Sequence, residues 1–189
     1  MPPKAKFKRE EIIEAALEIV RSEGLSNLTA RALGKKLDSS ARPIFTVFES
    51  MEEIQQSVID AAKLLYREYI QRGLADTPAF KGVGMQYILF AINEPKLFQL
   101  LFMKENKDLP KLSMILSIID ENYDAILSSV KDGYGLSDET AERLYRHLWI
   151  YTHGIASLCA TKMCRFTSEE ISVMMTEVFI GLLKNLNQG

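Results

Sequence analysis

Along almost the whole chain, apolar residues return every three or four positions, and no stretch alternates apolar with polar over a strand's length. That period predicts helices throughout. The first runs from Lys8 to Ser22, with Ile12, Ala16, Ile19 and Val20 on one stripe, Ile13 and Leu17 widening it, and Gly24 as its stop. Thr29 caps a short second helix over Ala30–Leu37. A turn follows at Asp38–Ser40, and a third short helix covers Ala41–Phe48. Ser50 to Glu53 reads as a capping box and opens a helix reaching Arg72 through Ile54, Val58, Ala62, Leu65 and Tyr69. Residues 73–80 break the period and mark a candidate junction. An aromatic-rich helix follows over Phe80–Asn93, then a short one after Pro95, where a first-turn proline is at home. A helix over Lys111–Val130 should bury Leu112, Ile115, Ile119, Tyr123 and Ile126, and residues 131–137 read as a loop. Ser137 caps a long helix to Met163, and a second capping box, Thr167 to Glu170, opens the last helix, which ends near Asn187. The expectation is an all-α fold of about nine helices.

Within the third short helix, Pro43 is informative. Proline lacks an N–H and costs little only in the first turn, where that group has no intrahelical acceptor. With Ser40 as N-cap, Pro43 stands at the third position and loses no bond. This places Ser40, Ala41 and Arg42 at the helix tip, with Ile44 and Phe48 turned inward.

Charge sharpens the picture. The 189 residues carry a formal net charge of −2, which argues against a uniformly basic nucleic-acid binder. Residues 1–48 nevertheless hold nine Lys and Arg against six Asp and Glu, and the remainder fourteen against nineteen. A basic head on an acidic body reads either as chance or as a head that meets a polyanion. No apolar run reaches the roughly 18 residues that span a bilayer, so no membrane partner is expected. The N-terminus turns charged before any apolar core, unlike a secretory signal. Two cysteines, Cys159 and Cys164, are too few for a disulfide scaffold, so buried thiols in a reducing, cytoplasmic setting are the expectation.

Short helices joined by a tight turn suit a helix-turn-helix module, whose third helix offers its N-terminal side chains to the major groove. Residues 8–56 resemble the DNA-binding domain of TetR-family transcriptional regulators. The resemblance is carried by Ile12, Ala15 and Ala16 in the first helix, Gly24 at its end, and Thr29 with Arg31 opening the second. Pro43-Ile44-Phe45 and Phe48 in the third, and Ser50 to Ile54 at the start of the fourth, complete it. Departures fall at the turn, where Asp38 replaces the usual Gly, and at Phe45, Val47 and Met51, where the family favours Tyr, His and Lys. Affinity then leans on Arg31, Arg42, Lys35, Lys36 and an arm of Lys4, Lys6 and Lys8. For Lys35 and Lys36 a merely solvated helix face is the competing reading. The resemblance implies a DNA-binding domain over residues 1–50 and a regulatory and dimerisation domain over residues 51–189. It implies backbone contacts from Thr29, Arg31, Ser40 and Thr46, base-edge contacts from Ala41, Arg42 and Pro43, and a phosphate-side place for Phe45. An arginine at such a tip discriminates guanine by roughly 1–3 kcal/mol.

The body resembles the same family more loosely, through Trp149-x-x-x-His153-Gly154 and the aromatic stretch from Tyr87 to Phe102. Trp149 and His153 share a helix face and read either as pocket lining or as a core Trp beside a hydrogen-bonded His. An aromatic helical core either packs solid or holds an apolar ligand cavity. The candidate lining residues are Leu65, Tyr87, Phe90, Phe98, Phe102, Ile115, Ile119, Trp149 and His153. The last two helices carry apolar faces wider than one core stripe requires. This extra width suggests a two-fold dimer interface through Gly154, Ser157, Met175, Val178, Phe179 and Leu182, where the family also dimerises.

The leading expectation is a ligand-responsive, homodimeric transcriptional regulator, a repressor first of all, that binds an inverted-repeat operator in double-stranded DNA and answers to a small apolar ligand. The alternative is a helical ligand-binding or adaptor protein that has lost sequence-specific DNA binding. No nucleophile–base pair, Gly-rich phosphate loop or paired acid suggests an enzyme, and neither cofactor nor metal is expected.

Overall fold

The computed structural model describes residues 6–105 and 110–186, with the backbone alone at Ile119. The fold is all-α. Among the described residues there are nine α-helices and no strand: α1 (Arg9–Glu23), α2 (Ala30–Lys36), α3 (Met51–Leu74), α4 (Ala79–Asn93), α5 (Pro95–Phe102), α6 (Ile115–Ile119), α7 (Tyr123–Tyr134), α8 (Asp138–Ala160) and α9 (Ser168–Leu186). No helix among the described residues is long and apolar enough to cross a membrane. The chain packs as two units, Met1–Leu65 with Lys96–Lys104, and Tyr66–Pro95 with Glu105–Gly189.

In the first unit, α1 buries Ile12, Ala15, Ala16, Ile19 and Val20, the predicted stripe. It stops at Gly24, whose φ of 89° is open to glycine and whose N–H returns to the Val20 carbonyl. The Thr29 hydroxyl accepts from the Ala32 N–H at 3.1 Å and so starts α2. At the head of α3, Ser50 Oγ accepts from the Glu53 N–H at 3.3 Å, while the Glu53 carboxylate takes the N–H of Glu49, one residue earlier than the motif predicts.

The third short helix is not α-helical. Only Ile44–Thr46 form a 3-10 turn, and Pro43, not Ser40, is its N-cap. Ile44 N–H reaches the Ala41 carbonyl and Thr46 N–H the Pro43 carbonyl, each closing three residues back instead of four. Pro43 has no N–H to send back to Ser39, and three of the next four residues, Ile44, Thr46 and Val47, are β-branched and weak helix formers. Thr46 Oγ1 also donates to the Pro43 carbonyl at 2.6 Å, tying the tight turn together. The inward anchors are as predicted: Ile44 and Phe48 are both fully buried, each such burial being worth about 1.5–3 kcal/mol.

In the second unit α4 is apolar nearly all round and packs on α7, α8 and α9. Its first turn lies so close to the end of α3 that a Cβ on Gly82 would stand 2.3 Å from the Gly73 carbonyl oxygen. The single helix predicted over Lys111–Val130 is broken in two. A 3-10 turn at Leu112–Met114 leads into α6, which ends at Asp120 in extended geometry, and α7 starts three residues later. The Asp120 carboxylate accepts from the backbone N–H of Asn122 at 2.8 Å, the local bond by which aspartate competes with helix. Leu112, expected inward, is 61% exposed. The predicted loop at residues 131–137 is also shorter, because α7 continues to Tyr134 and stops at Gly135, in left-handed geometry. Ser137 and the Thr167–Glu170 box cap α8 and α9 as expected.

Candidate nucleic-acid interface and ligand cavity

The turn between α2 and the 3-10 segment is held closely against α2. A Cβ on Gly34 would stand 3.0 Å from the Ser39 carbonyl and 3.1 Å from the Ala41 N, so glycine lets the two backbones meet. Asp38 supplies the reversal at a φ of 48°, which Asp tolerates better than most residues. Outside these contacts stand the exposed side chains of Arg31, Lys35, Ser40, Arg42 and Thr46. Arg31 and Lys35, four residues apart, share the open side of α2. Lys6 Nζ donates to Ser39 Oγ at 2.9 Å, which puts an arm lysine on the turn, and Lys8 is exposed at the head of α1. Ala41 and Pro43 are half-buried, and Phe45 is 41% exposed, so its ring is not part of the core. Asp38 is the only acid between Gly24 and Phe48. Lys4 lies outside the described residues.

Two of the predicted contacts differ in what they can offer. The Thr29 hydroxyl uses a lone pair for its cap and keeps its proton for an acceptor such as a phosphate oxygen. Thr46 has committed its proton to Pro43. Lys36 forms an ion pair with Glu18, which lowers the Glu18 carboxyl pKa through that hydrogen bond and charge. Arg9, which sequence reasoning did not single out, lies over the Phe48 ring at 4.1 Å and pairs with Glu53 at 2.8 Å. It braces the buried anchor of the turn against α3.

The second unit holds a partly open cavity of about 360 Å³, walled largely by aromatic and aliphatic side chains of α4, α7, α8 and α9. Of the predicted lining, Tyr87 and Trp149 face it. His153 stands behind them, with Nδ1 2.9 Å from the Tyr87 hydroxyl and its ring stacked on Trp149 at 5.0 Å. Burial lowers the His153 pKa and raises that of Tyr87 well above the usual value. Which of the phenol and the imidazole donates in this bond depends on the imidazole tautomer.

The other predicted lining residues lie elsewhere. Phe90 is buried between Tyr66 and Tyr69 at 5.4 and 5.3 Å, as core. Phe98 and Phe102 pack on one another in α5, and with Leu65 they belong to the first unit. Ile115 is half-buried away from the cavity, and the side chain of Ile119 lies outside the described residues. Two residues expected at a dimer interface, Met175 and Phe179, line the cavity instead, because α9 turns that edge toward α4; the Met175 methyl would stand 2.2 Å from a Cβ on Gly84. Gly154 is exposed with open space above it, and Ser157, Val178 and Leu182 are half-buried. Cys159 is half-buried and Cys164 exposed, so the expected burial fails for Cys164.

The chain matches no family model, and no curated protein shows significant similarity to it.

Sequence reasoning passed over the cavity's polar groups. Asp120 is 4% exposed and lines the cavity. Its carboxylate accepts from the Tyr66 hydroxyl at 2.6 Å and from both the backbone and side-chain nitrogens of Asn122. Tyr145, 3% exposed, lines the same cavity with a hydroxyl that has no hydrogen-bond partner among the described residues. Burial first, and then the Asp120 charge, push the pKa values of Tyr66, Tyr87 and Tyr145 well up. The one available signal was an Asp that interrupts an apolar helical stripe.

Proposed function

We propose that the protein is a ligand-responsive, DNA-binding transcriptional regulator of the TetR type that acts as a homodimer, with repression as its expected mode. The observation that carries this is the turn at Gly34–Ala41. It packs backbone to backbone on α2 and leaves Arg31, Lys35, Ser40, Arg42 and Phe45 exposed, while Ile44 and Phe48 are buried as its anchors. Anchors without solvent access in a basic, hydroxyl-bearing segment suit a reader of the major groove, with Thr29 and Ser40 positioned by phosphates and Arg42 reading bases. The cavity in the second unit supports ligand response. A ligand that binds one conformation better than another shifts the population, and by linkage DNA affinity shifts with it.

The test is selection of bound sequences from a random DNA pool by the full chain, followed by salt titration of the winner. The expected result is an inverted repeat whose affinity falls steeply with salt, and a loss of selectivity in Arg42→Ala that is larger than its loss of affinity. A chain that selects no sequence sinks the proposal. A second reading, a helical ligand-binding or adaptor protein without DNA specificity, is favoured by the 3-10 turn where an α-helix would stand and by the missing hydroxyl at Phe45. Under that reading Arg42→Ala changes no partner binding.

A further inference from the structure

We infer that the cavity takes an organic cation, an amine whose ammonium sits at Asp120 and whose apolar body lies against Phe80, Tyr87, Trp149 and Phe179. The inference deepens the proposed ligand response and rests on it. Its basis is an imbalance of charge inside an apolar chamber. Asp120 is buried and lines the cavity, yet its three hydrogen bonds all come from neutral donors: the Tyr66 hydroxyl, the Asn122 backbone and the Asn122 side chain. Among the described residues it joins no ion pair. A carboxylate removed from water without a cation is costly, and neutral hydrogen bonds offset only part of that cost. The site is therefore more favourable once a positive charge arrives.

Three further observations point the same way. The walls are rich in aromatic rings, whose quadrupoles favour cations over anions. Tyr145 carries a buried hydroxyl without a partner among the described residues, whose lone pairs remain for an N–H donor. The raised pKa values of Tyr66, Tyr87 and Tyr145 share, after burial, the negative charge of Asp120 as a cause, so that charge is felt along much of the wall. Lys81, which also lines the cavity, would instead recruit an anionic head. Its Nζ is engaged by Thr176 Oγ1 at 3.2 Å, and the side chain is half-buried, so a water-facing position remains open to it.

The experiment is calorimetric titration of the full chain, without DNA, with three probes that share one apolar body: phenylbutylamine, phenylbutanol and phenylbutyrate. The amine should bind about tenfold or more tightly than the alcohol, as a charged hydrogen bond in place of a neutral one implies, with the acid weakest. Asp120→Asn, near in shape, should bring the amine down to the alcohol's level and leave the alcohol unchanged. Should that variant fail to fold, the order of the three probes on the unaltered chain decides alone. Equal binding of amine and alcohol, or strongest binding of the acid, overturns the inference while leaving a ligand cavity in place. Binding of none of the three overturns both. Because no DNA is present, failure to find an operator leaves the result intact.

Discussion

Two tyrosines of the cavity differ by one hydrogen bond, and that difference has opposite consequences. Tyr66 donates to the buried Asp120 carboxylate, whereas the Tyr145 hydroxyl is buried without a partner among the described residues. Tyr66→Phe removes a donor from a desolvated charge and should cost about 1.5–3 kcal/mol. Tyr145→Phe removes a hydroxyl that lost its water and gained nothing, and should leave stability unchanged or raise it by up to about 1 kcal/mol. Urea unfolding of the two variants checks the pair. His153 offers a pH test. Burial lowers its folded pKa below the ordinary 6.5, so the unfolded chain binds the proton more readily. Its contribution to stability is therefore full above that value and is lost as pH falls toward the folded pKa. Melting temperatures between about pH 7.5 and 5.5 should fall more steeply for the wild type than for His153→Gln. None of these polar relations follows from periodicity. Spacing showed that Trp149 and His153 share a face, but Tyr66 and Asp120 are 54 residues apart and meet only in the fold.

At the scale of elements, the count of nine helices agrees for a reason that hides two differences. The 3-10 turn at Ile44–Thr46 removes one predicted helix, and the break at Asp120 divides another. Helix starts were legible wherever a side chain supplies the cap, at Thr29, Ser50, Ser137 and Thr167, because a cap is a local bond between residues close in sequence. Helix interiors were less legible. An i→i+4 and an i→i+3 pattern bury the same Ile44 and Phe48, so the apolar period does not distinguish them. The turn between α2 and the 3-10 segment makes a prediction of its own. Asp38 holds a positive φ that glycine adopts without strain, so Asp38→Gly should stabilise the chain by about 0.5–1 kcal/mol. Gly34→Val should do the opposite and loosen the turn, since its Cβ meets backbone atoms of Ser39, Ser40 and Ala41 at 3.0–3.1 Å. Thermal unfolding reads both, and hydrogen exchange at Ser39–Ala41 should speed up in the valine variant alone.

For the whole molecule, the proposed function makes α9 the helix that decides how two copies pair. The sequence assigned Met175 and Phe179 to a subunit interface, yet both line the cavity, so that part of the apolar excess is already used within one chain. What remains uncovered is displaced around the helices. Val173 on α9 is 50% exposed, Ile150 on α8 is exposed, and Gly154, four residues on from Ile150, has open space above it. Under the proposed function these exposed positions form the strip where two copies pair. Val173→Glu places a carboxylate on that strip without touching the cavity lining, so the fold and probe binding should survive. Sedimentation should then show a monomer, and operator affinity should fall by about a hundredfold or more, because each half-site would be held without the gain of a linked second one. A variant that stays dimeric would move the interface off this strip. A monomer that keeps full operator affinity would show instead that one head suffices for DNA recognition.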